Sequence, residues 1–336
     1  MKIRFSILKP SILALCCLLL ASCQPNKNEL VIYAGRSKEL VNGIIERFKR
    51  ESGIDVKIKY GKTAELALAL SEEGANSPAD LFWAQDAGAL GAISQAQLFA
   101  PLPDDIAESV ETTFRNPHNK WVALTGRART IAYATSRVQE KDVPKSIFAL
   151  TDPKWKGKIA WSPENASFQS VVTAMRKVHG DLRTMAWLVA MKANEPKSYP
   201  NNAAIVEAIA AGEADLGLPN HYYLLNFKDK DPNYPVAQTY FADGDVGNLI
   251  NVSGAGILKS SKNQEKAQAF LRFMLSKAGQ TYMANNEFEY PVIAAVPLHS
   301  GLTALSDLQT SRVKVDLNDL ADLKGTLVLL RNVGLL

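Results

Sequence analysis

The stretch ELVIYAGRSKELVNGIIERFKRESGIDVKIKY, residues 29–60, decides the fold. Its opening, ELVIYAG, is an apolar run closed by Gly35, the pattern of a buried strand. In SKELVNGIIERFKRESG, Leu40, Val41, Ile44, Ile45 and Phe48 recur at helical spacing, with Ser37 suited to the N-cap and Gly53 to the stop. IDVKIKY then alternates, with Ile54, Val56 and Ile58 on one face, which predicts a second strand. AELALALSEEG (64–74) continues as a helix and ADLFWA (79–84) as a third strand. Strands alternating with helices over so short a span predict a parallel, doubly wound sheet. Ligands of such sheets gather at the carboxyl ends of the strands. Those ends are Tyr33-Ala34-Gly35-Arg36 and Trp83-Ala84-Gln85-Asp86.

The alternation returns later. GKIAWSPENAS (157–167) reads as strand then loop, and FQSVVTAMRKVHG, DLRTMAWLVAMKAN and NAAIVEAIAAGEA as helices. DLGLPN (215–220) is a strand leading to the adjacent tyrosines Tyr222 and Tyr223. Two neighbouring phenols are either packing groups, each needing a hydrogen-bond partner, or a pair of oxygen ligands. Consecutive strand residues point to opposite faces. A shared ligand therefore requires a turn or the first turn of a helix, which Pro219-Asn220 before the pair and LLNF after it would supply. Arg127–Ser136 and Leu249–Lys259, apolar stretches ending in small or polar residues, are candidate crossings between two lobes.

Lys2, Arg4 and Lys9 precede the apolar run SILALCCLLL, which is too short to span a bilayer as a helix. Leu20-Ala21-Ser22-Cys23 follows and resembles the lipobox of bacterial lipoproteins. That resemblance implies a signal peptide of residues 1–22, acylation of Cys23 and a tether over 23–28. An ordinary signal peptide cut near Ala21 is the alternative. Cys16 and Cys17 fall in the discarded segment, leaving about 310 residues that rely on a core rather than on disulfides. The same segment carries three of the formal +4 charges. The remaining chain is near neutral, which argues against a nucleic-acid partner.

The motifs LVIYAGRSKELV, EEGANSPADLFWAQDAGAL, WVALTGRARTIAYAT, ANEPKSYPNNAAIVEAIAAGEADLGLPNHYYLL and DGDVGNLINVSGAGILKSSKNQEKAQAFLRFM, in that order, resemble the periplasmic ferric-ion-binding proteins of bacterial ABC iron importers. The resemblance runs from Glu29 to the C-terminus. It implies an α/β fold of the type II periplasmic binding protein kind, two doubly wound lobes joined by a two-strand hinge around a ligand cleft. The implied lobes are residues 29–127 with 254–300, and 128–253 with 301–336. It also implies a non-enzymatic, monomeric Fe(III) carrier, exported and membrane-anchored through Cys23, that serves an ABC permease in the inner membrane.

In that family the paired tyrosines ligate iron, and Tyr222 and Tyr223 match them. Fe(III) is small and hard and selects anionic oxygen donors, and a bound cation can strip a phenol of its proton. Many relatives also supply a histidine and a glutamate; the matching positions here are near Arg36 and at Gln85. Guanidinium cannot ligate a metal and an amide is a weak neutral donor. Arginine does match planar oxyanions, so Arg36 is expected to hold carbonate or bicarbonate as a synergistic anion; pairing with a carboxylate such as Glu39 is the alternative. The resemblance places Asn165, Ala166, Ser167, Asn202 and Asn220 in the anion pocket, although each asparagine could instead cap a helix. Arg127, Arg129, Gln85 and Tyr33 are expected to stand behind the ligands. His221 is read as pointing away.

Arg36 argues against an organic cation as the solute, because a positive cleft would repel it. An organic anion, or a ferric-citrate-like chelate, remains an alternative cargo. The sequence carries no Gly-x-Ser-x-Gly elbow, no carboxylate pair at helical spacing and no phosphate loop.

Overall fold

The computed structural model describes residues 29–294, 296–303, 313 and 315–336. The expected signal peptide, the tether and Cys23 lie outside the described residues. Strand β1 (Glu29–Ala34), helix α1 (Lys38–Ser52), strand β2 (Asp55–Tyr60), helix α2 (Thr63–Glu73) and strand β3 (Leu81–Ala84) follow the predicted alternation. Gly53 ends α1 in the left-handed region at φ 69°, its N–H bonded to the Lys49 carbonyl. The apolar stripe expected on α1 is its buried face: Val41, Ile44, Ile45 and Phe48. Phe48 meets Phe270 edge to face, with ring centroids 5.2 Å apart. Burying such side chains contributes roughly 1.5–3 kcal/mol each, most of what holds the helix to the sheet.

After helix α3 (Ala87–Gln95), strand β4 (Val122–Ala128) enters the first sheet, and β5 (Ile131–Ala134) begins the second. The second lobe continues through β6 (Ile159–Trp161), α4 (Ala166–His179), α5 (Asp181–Ala193), β7 (Lys197–Ser198), α6 (Asn202–Ala210), β8 (Leu216–Gly217), α7 (His221–Lys230) and β9 (Val236–Thr239). Strand β10 (Ile250–Ile257) returns to the first sheet, followed by α8 (Gln264–Leu275), α9 (Lys277–Asn286) and the terminal α10 (Leu323–Val333).

The first sheet has the order β2-β1-β3-β10-β4 and the second β7-β6-β8-β5-β9. β1 is parallel to β2 and β3, as the sequence pattern predicts. β10, however, runs antiparallel to both β3 and β4. A strand arriving from the other lobe needs no crossover helix, so nothing forces it to be parallel. Mixed α/β lobes of this kind are those of a type II periplasmic binding protein.

Two crossings lie side by side. Ile250 pairs with Ala128 and Asn251 with Arg127, so the outgoing and returning chains are hydrogen-bonded where they leave the first sheet. A third segment joins them: Gly126 and Tyr290 exchange backbone hydrogen bonds at 2.8 and 2.9 Å. A Cβ at Gly126 would stand 3.1 Å from the Tyr290 Cβ, so glycine permits that close approach. In the second lobe, Trp161 and Phe168 meet at 5.4 Å and Phe168 and Trp187 stack at 6.4 Å. The terminal helix α10 is tied to α4 by a 2.7 Å bond between the Thr173 and Thr326 hydroxyls.

Candidate metal centre

Asn220 ends the short segment after β8, and α7 begins immediately, which puts Tyr222 and Tyr223 in the first turn of a helix. Their rings lie 4.4 Å apart with planes 31° from parallel. The helix start thus solves the problem a strand could not: both phenols share one side. Unpaired N–H groups there favour negative charge on the side chains they face. Tyr222 is fully buried, and its hydroxyl has no hydrogen-bond partner among the described residues. Tyr223 is partly exposed. Burial, then the neighbouring Tyr222, push the Tyr223 phenol well above its ordinary value. Without a cation the Tyr223 hydroxyl is therefore protonated at neutral pH.

Three guanidinium groups surround the pair. Arg36, Arg127 and Arg129 are all buried, and each lies within electrostatic reach of Tyr222 and Tyr223. Arg36 follows Gly35, where a Cβ would come within 2.1 Å of the Thr63 hydroxyl. Glycine therefore lets the end of β1 press against the start of α2. Arg36 donates from Nη1 to Glu289 Oε1 at 2.9 Å, while its Nε and Nη2 have no partner among the described residues. Burial opposes the charge of Arg36, and Glu289 overrides that effect and leaves it above the ordinary value. Arg127 approaches Glu289 Oε1 only to 3.9 Å, and none of its three nitrogens is hydrogen-bonded among the described residues.

Arg129 is held from the second lobe. It donates to the Leu218 carbonyl and, at 2.9 Å, to the Ser167 hydroxyl, leaving Nε free. Burial lowers it to about 10, which still leaves it charged at neutral pH. Ser167 donates in turn to Asn165 Oδ1 at 2.6 Å. Asn165 also caps α4 by accepting from the Ser167 N–H at 3.0 Å, and Ala166 is the buried first residue of that helix. Asn202 accepts from the Asn220 N–H at 3.0 Å, while Asn201 is the residue that caps α6. The amide nitrogens of both Asn202 and Asn220 are buried without partners among the described residues. Asn220 stands at the N-cap position but makes no capping bond through its side chain.

Gln85 is buried at the end of β3, beside Asp86, which caps α3 by accepting from Ala89 at 3.0 Å. Tyr33 is turned elsewhere: its hydroxyl bonds Glu73 at 3.0 Å, and Lys59 sits 4.3 Å over its ring. The structure does not bring it to the tyrosine pair. The carboxylate partner of Arg36 is Glu289, whereas the sequence suggested Glu39 as the example. His221 is fully enclosed. Its Nδ1 accepts from the Ala128 N–H at 3.1 Å and its Nε2 lies 2.8 Å from the Phe288 carbonyl, so a neutral ring pins α7 to the crossing. Burial lowers its pKa to about 4.

Glu289 and Thr125 escaped the sequence reading. Thr125 donates to Glu289 Oε2 at 2.7 Å. Glu289 is fully buried, and Arg36 and then Arg127 overcome the cost of its burial and hold it below the usual carboxylate range. No sequence signal marks it, because it comes 253 residues after Arg36. Among the described residues, three buried carboxylates couple to these guanidinium groups, Glu289 and Glu287 to Arg36 and Asp86 to Arg127, and burial lifts Glu287 to about 8, so that it is protonated at neutral pH. The centre therefore combines two phenols, a surplus of positive charge, and a set of buried donors without acceptors.

The sequence profile of a family described as bacterial extracellular solute-binding protein matches residues 76–309. The Fe(3+)-binding periplasmic protein of Serratia marcescens is 34% identical over 319 residues, covering 93% of this chain and 94% of its own length. The major ferric iron-binding protein of Neisseria meningitidis serogroup A is 34% identical over 301 residues, 88% of this chain and 90% of its own. Among solved structures, iron-bound HitA from Pseudomonas aeruginosa superposes with a TM-score of 0.86 at 34% identity, covering 91% of this chain and 99% of that one.

Proposed function

This chain belongs to the periplasmic ferric-ion-binding proteins of the bacterial extracellular solute-binding family, and from that premise we propose that Tyr222 and Tyr223 ligate Fe(III) beside a synergistic carbonate. Binding of Fe(III) and its delivery through an ABC transport system from an extracytoplasmic location follow from the family. The family's role is non-catalytic. The observation that carries the ligand assignment is the pair of phenols, 4.4 Å apart at a helix start and next to three buried guanidinium groups.

The anion reading rests on donors. Arg36 Nε and Nη2, all three Arg127 nitrogens, Arg129 Nε and the amide nitrogens of Asn202 and Asn220 are buried and unmatched among the described residues. Leaving such groups without acceptors costs about 1–3 kcal/mol each, and more for charged ones. A planar oxyanion with several acceptor sites offsets that cost and also balances charge beside a trivalent cation. Arg36, Arg127, Asn202 and Asn220 would hold carbonate, with Arg129 and Ser167 bracing it from the second lobe. Gln85, buried just past the end of β3, is given a supporting place.

We further propose that the lobes bend about the two crossings, with residues 29–127 and 254–300 closing on 128–253 and 301–336. A lipid on Cys23 would keep the monomeric carrier beside its permease. Ferric titration with and without bicarbonate tests the central reading. A ferric-tyrosinate absorption band should develop fully only with the anion present, and Arg36→Ala should lose that dependence. A colourless protein that binds an organic anion tightly would favour the alternative cargo.

A further inference from the structure

The side-chain partners of Glu289 all belong to the first lobe. Oε1 accepts from Arg36 at 2.9 Å, Oε2 accepts from Thr125 at 2.7 Å, and Arg127 stands 3.9 Å away. The backbone bridge between Gly126 and Tyr290 sets the carboxylate against the edge of β4 that carries Thr125 and Arg127. It is wholly buried. Arg129, by contrast, is held by Ser167 and the Leu218 carbonyl of the second lobe.

We propose that Glu289 is a built-in counter-anion that weakens the cleft's hold on an incoming oxyanion and so keeps the anion, and the iron with it, exchangeable. The inference rests on the anion reading above. Glu289 takes one nitrogen of Arg36 and leaves Nε and Nη2 for the incoming group. Its negative charge also offsets part of the attraction that Arg36 and Arg127 exert on a second anion, and like charges a few ångströms apart in a buried site repel strongly. A merely structural role for Glu289 makes the opposite prediction, since damaging a brace weakens binding.

Glu289→Gln separates the two. The amide oxygen can still accept from Arg36, so shape and the hydrogen bond survive while the charge goes. In ferric titrations read by the tyrosinate band, the half-saturating bicarbonate concentration of Glu289→Gln should fall roughly tenfold, and iron release to EDTA should slow. A half-saturating concentration equal to or above that of the unaltered protein overturns the proposal. Should the unbalanced Arg36–Arg127 pair prevent that variant from folding, the comparison is made between Arg127→Gln and Arg127→Gln/Glu289→Gln, where the group is no more positive than in the unaltered protein. The same fall is expected there, and its absence is equally fatal. An unaltered protein indifferent to bicarbonate overturns the anion reading and this inference together. A bicarbonate-dependent protein whose Glu289 variants do not shift overturns this inference alone.

Discussion

The rings of Tyr222 and Tyr223 stand 4.4 Å apart in the first turn of one helix, and the hydroxyl of Tyr222 is buried with no partner among the described residues. Packing alone does not account for that arrangement, because a buried phenol ordinarily finds a hydrogen bond. The orphaned hydroxyl has a measurable consequence. Tyr222→Phe removes a polar group that is desolvated without compensation, so the iron-free protein should be as stable as the unaltered one or more so, within about 1 kcal/mol. Chemical denaturation of the apoprotein checks this. A loss above about 2 kcal/mol would mean that the hydroxyl is bonded and structural.

Lys62, at the N-cap of α2 in the first lobe, forms an ion pair with Glu164, just before α4 in the second. Both side chains are more than half exposed, so the pair contributes little by itself. It does span the cleft, and reversing one charge sets two carboxylates against each other. Lys62→Glu should speed iron release a few-fold at low salt, and the effect should fade at high salt. Adding Glu164→Lys should restore the original rate. Identical rates in all three proteins would show that the pair has no part in closure.

Burial, then the neighbouring Glu289, raise Glu287 to about 8 from its ordinary value near 4.5. Between those values the folded protein holds a proton that the unfolded chain releases. The contribution is therefore fully present below about pH 4.5 and is lost as pH rises through about 8. Its full span is a few kcal/mol, at about 1.4 kcal/mol per unit. Denaturation of the apoprotein across this range should show a decline that Glu287→Gln flattens. Equal slopes in both proteins would contradict it.

What could be read from the sequence follows physical range. The helix stripe of α1 and the runs forming β1 and β3 are local patterns, and they appear where periodicity puts them. Tyr222 and Tyr223 were legible because both candidate ligands are adjacent. Arg127 and Arg129 could be linked to the cleft through the crossing but not oriented there. Tyr33 was misleading: a strand-end phenol can turn to either face, and Glu73 and Lys59 draw it outward. The direction of β10 and the place of Glu289 depend on contacts between distant segments. Nothing in the residues around Glu289 records that Gly126 would let it approach β4.

The most direct measurement is the visible spectrum of the purified protein titrated with ferric salt in bicarbonate buffer, beside Tyr222→Phe, Tyr223→Phe and the double variant. Phenolate bound to Fe(III) gives a charge-transfer band. The account predicts the band in the unaltered protein, a weaker or displaced band in each single variant, and none in the double variant, all with unchanged far-ultraviolet circular dichroism. Full colour in a correctly folded double variant would contradict it, since the iron would then be held by other residues.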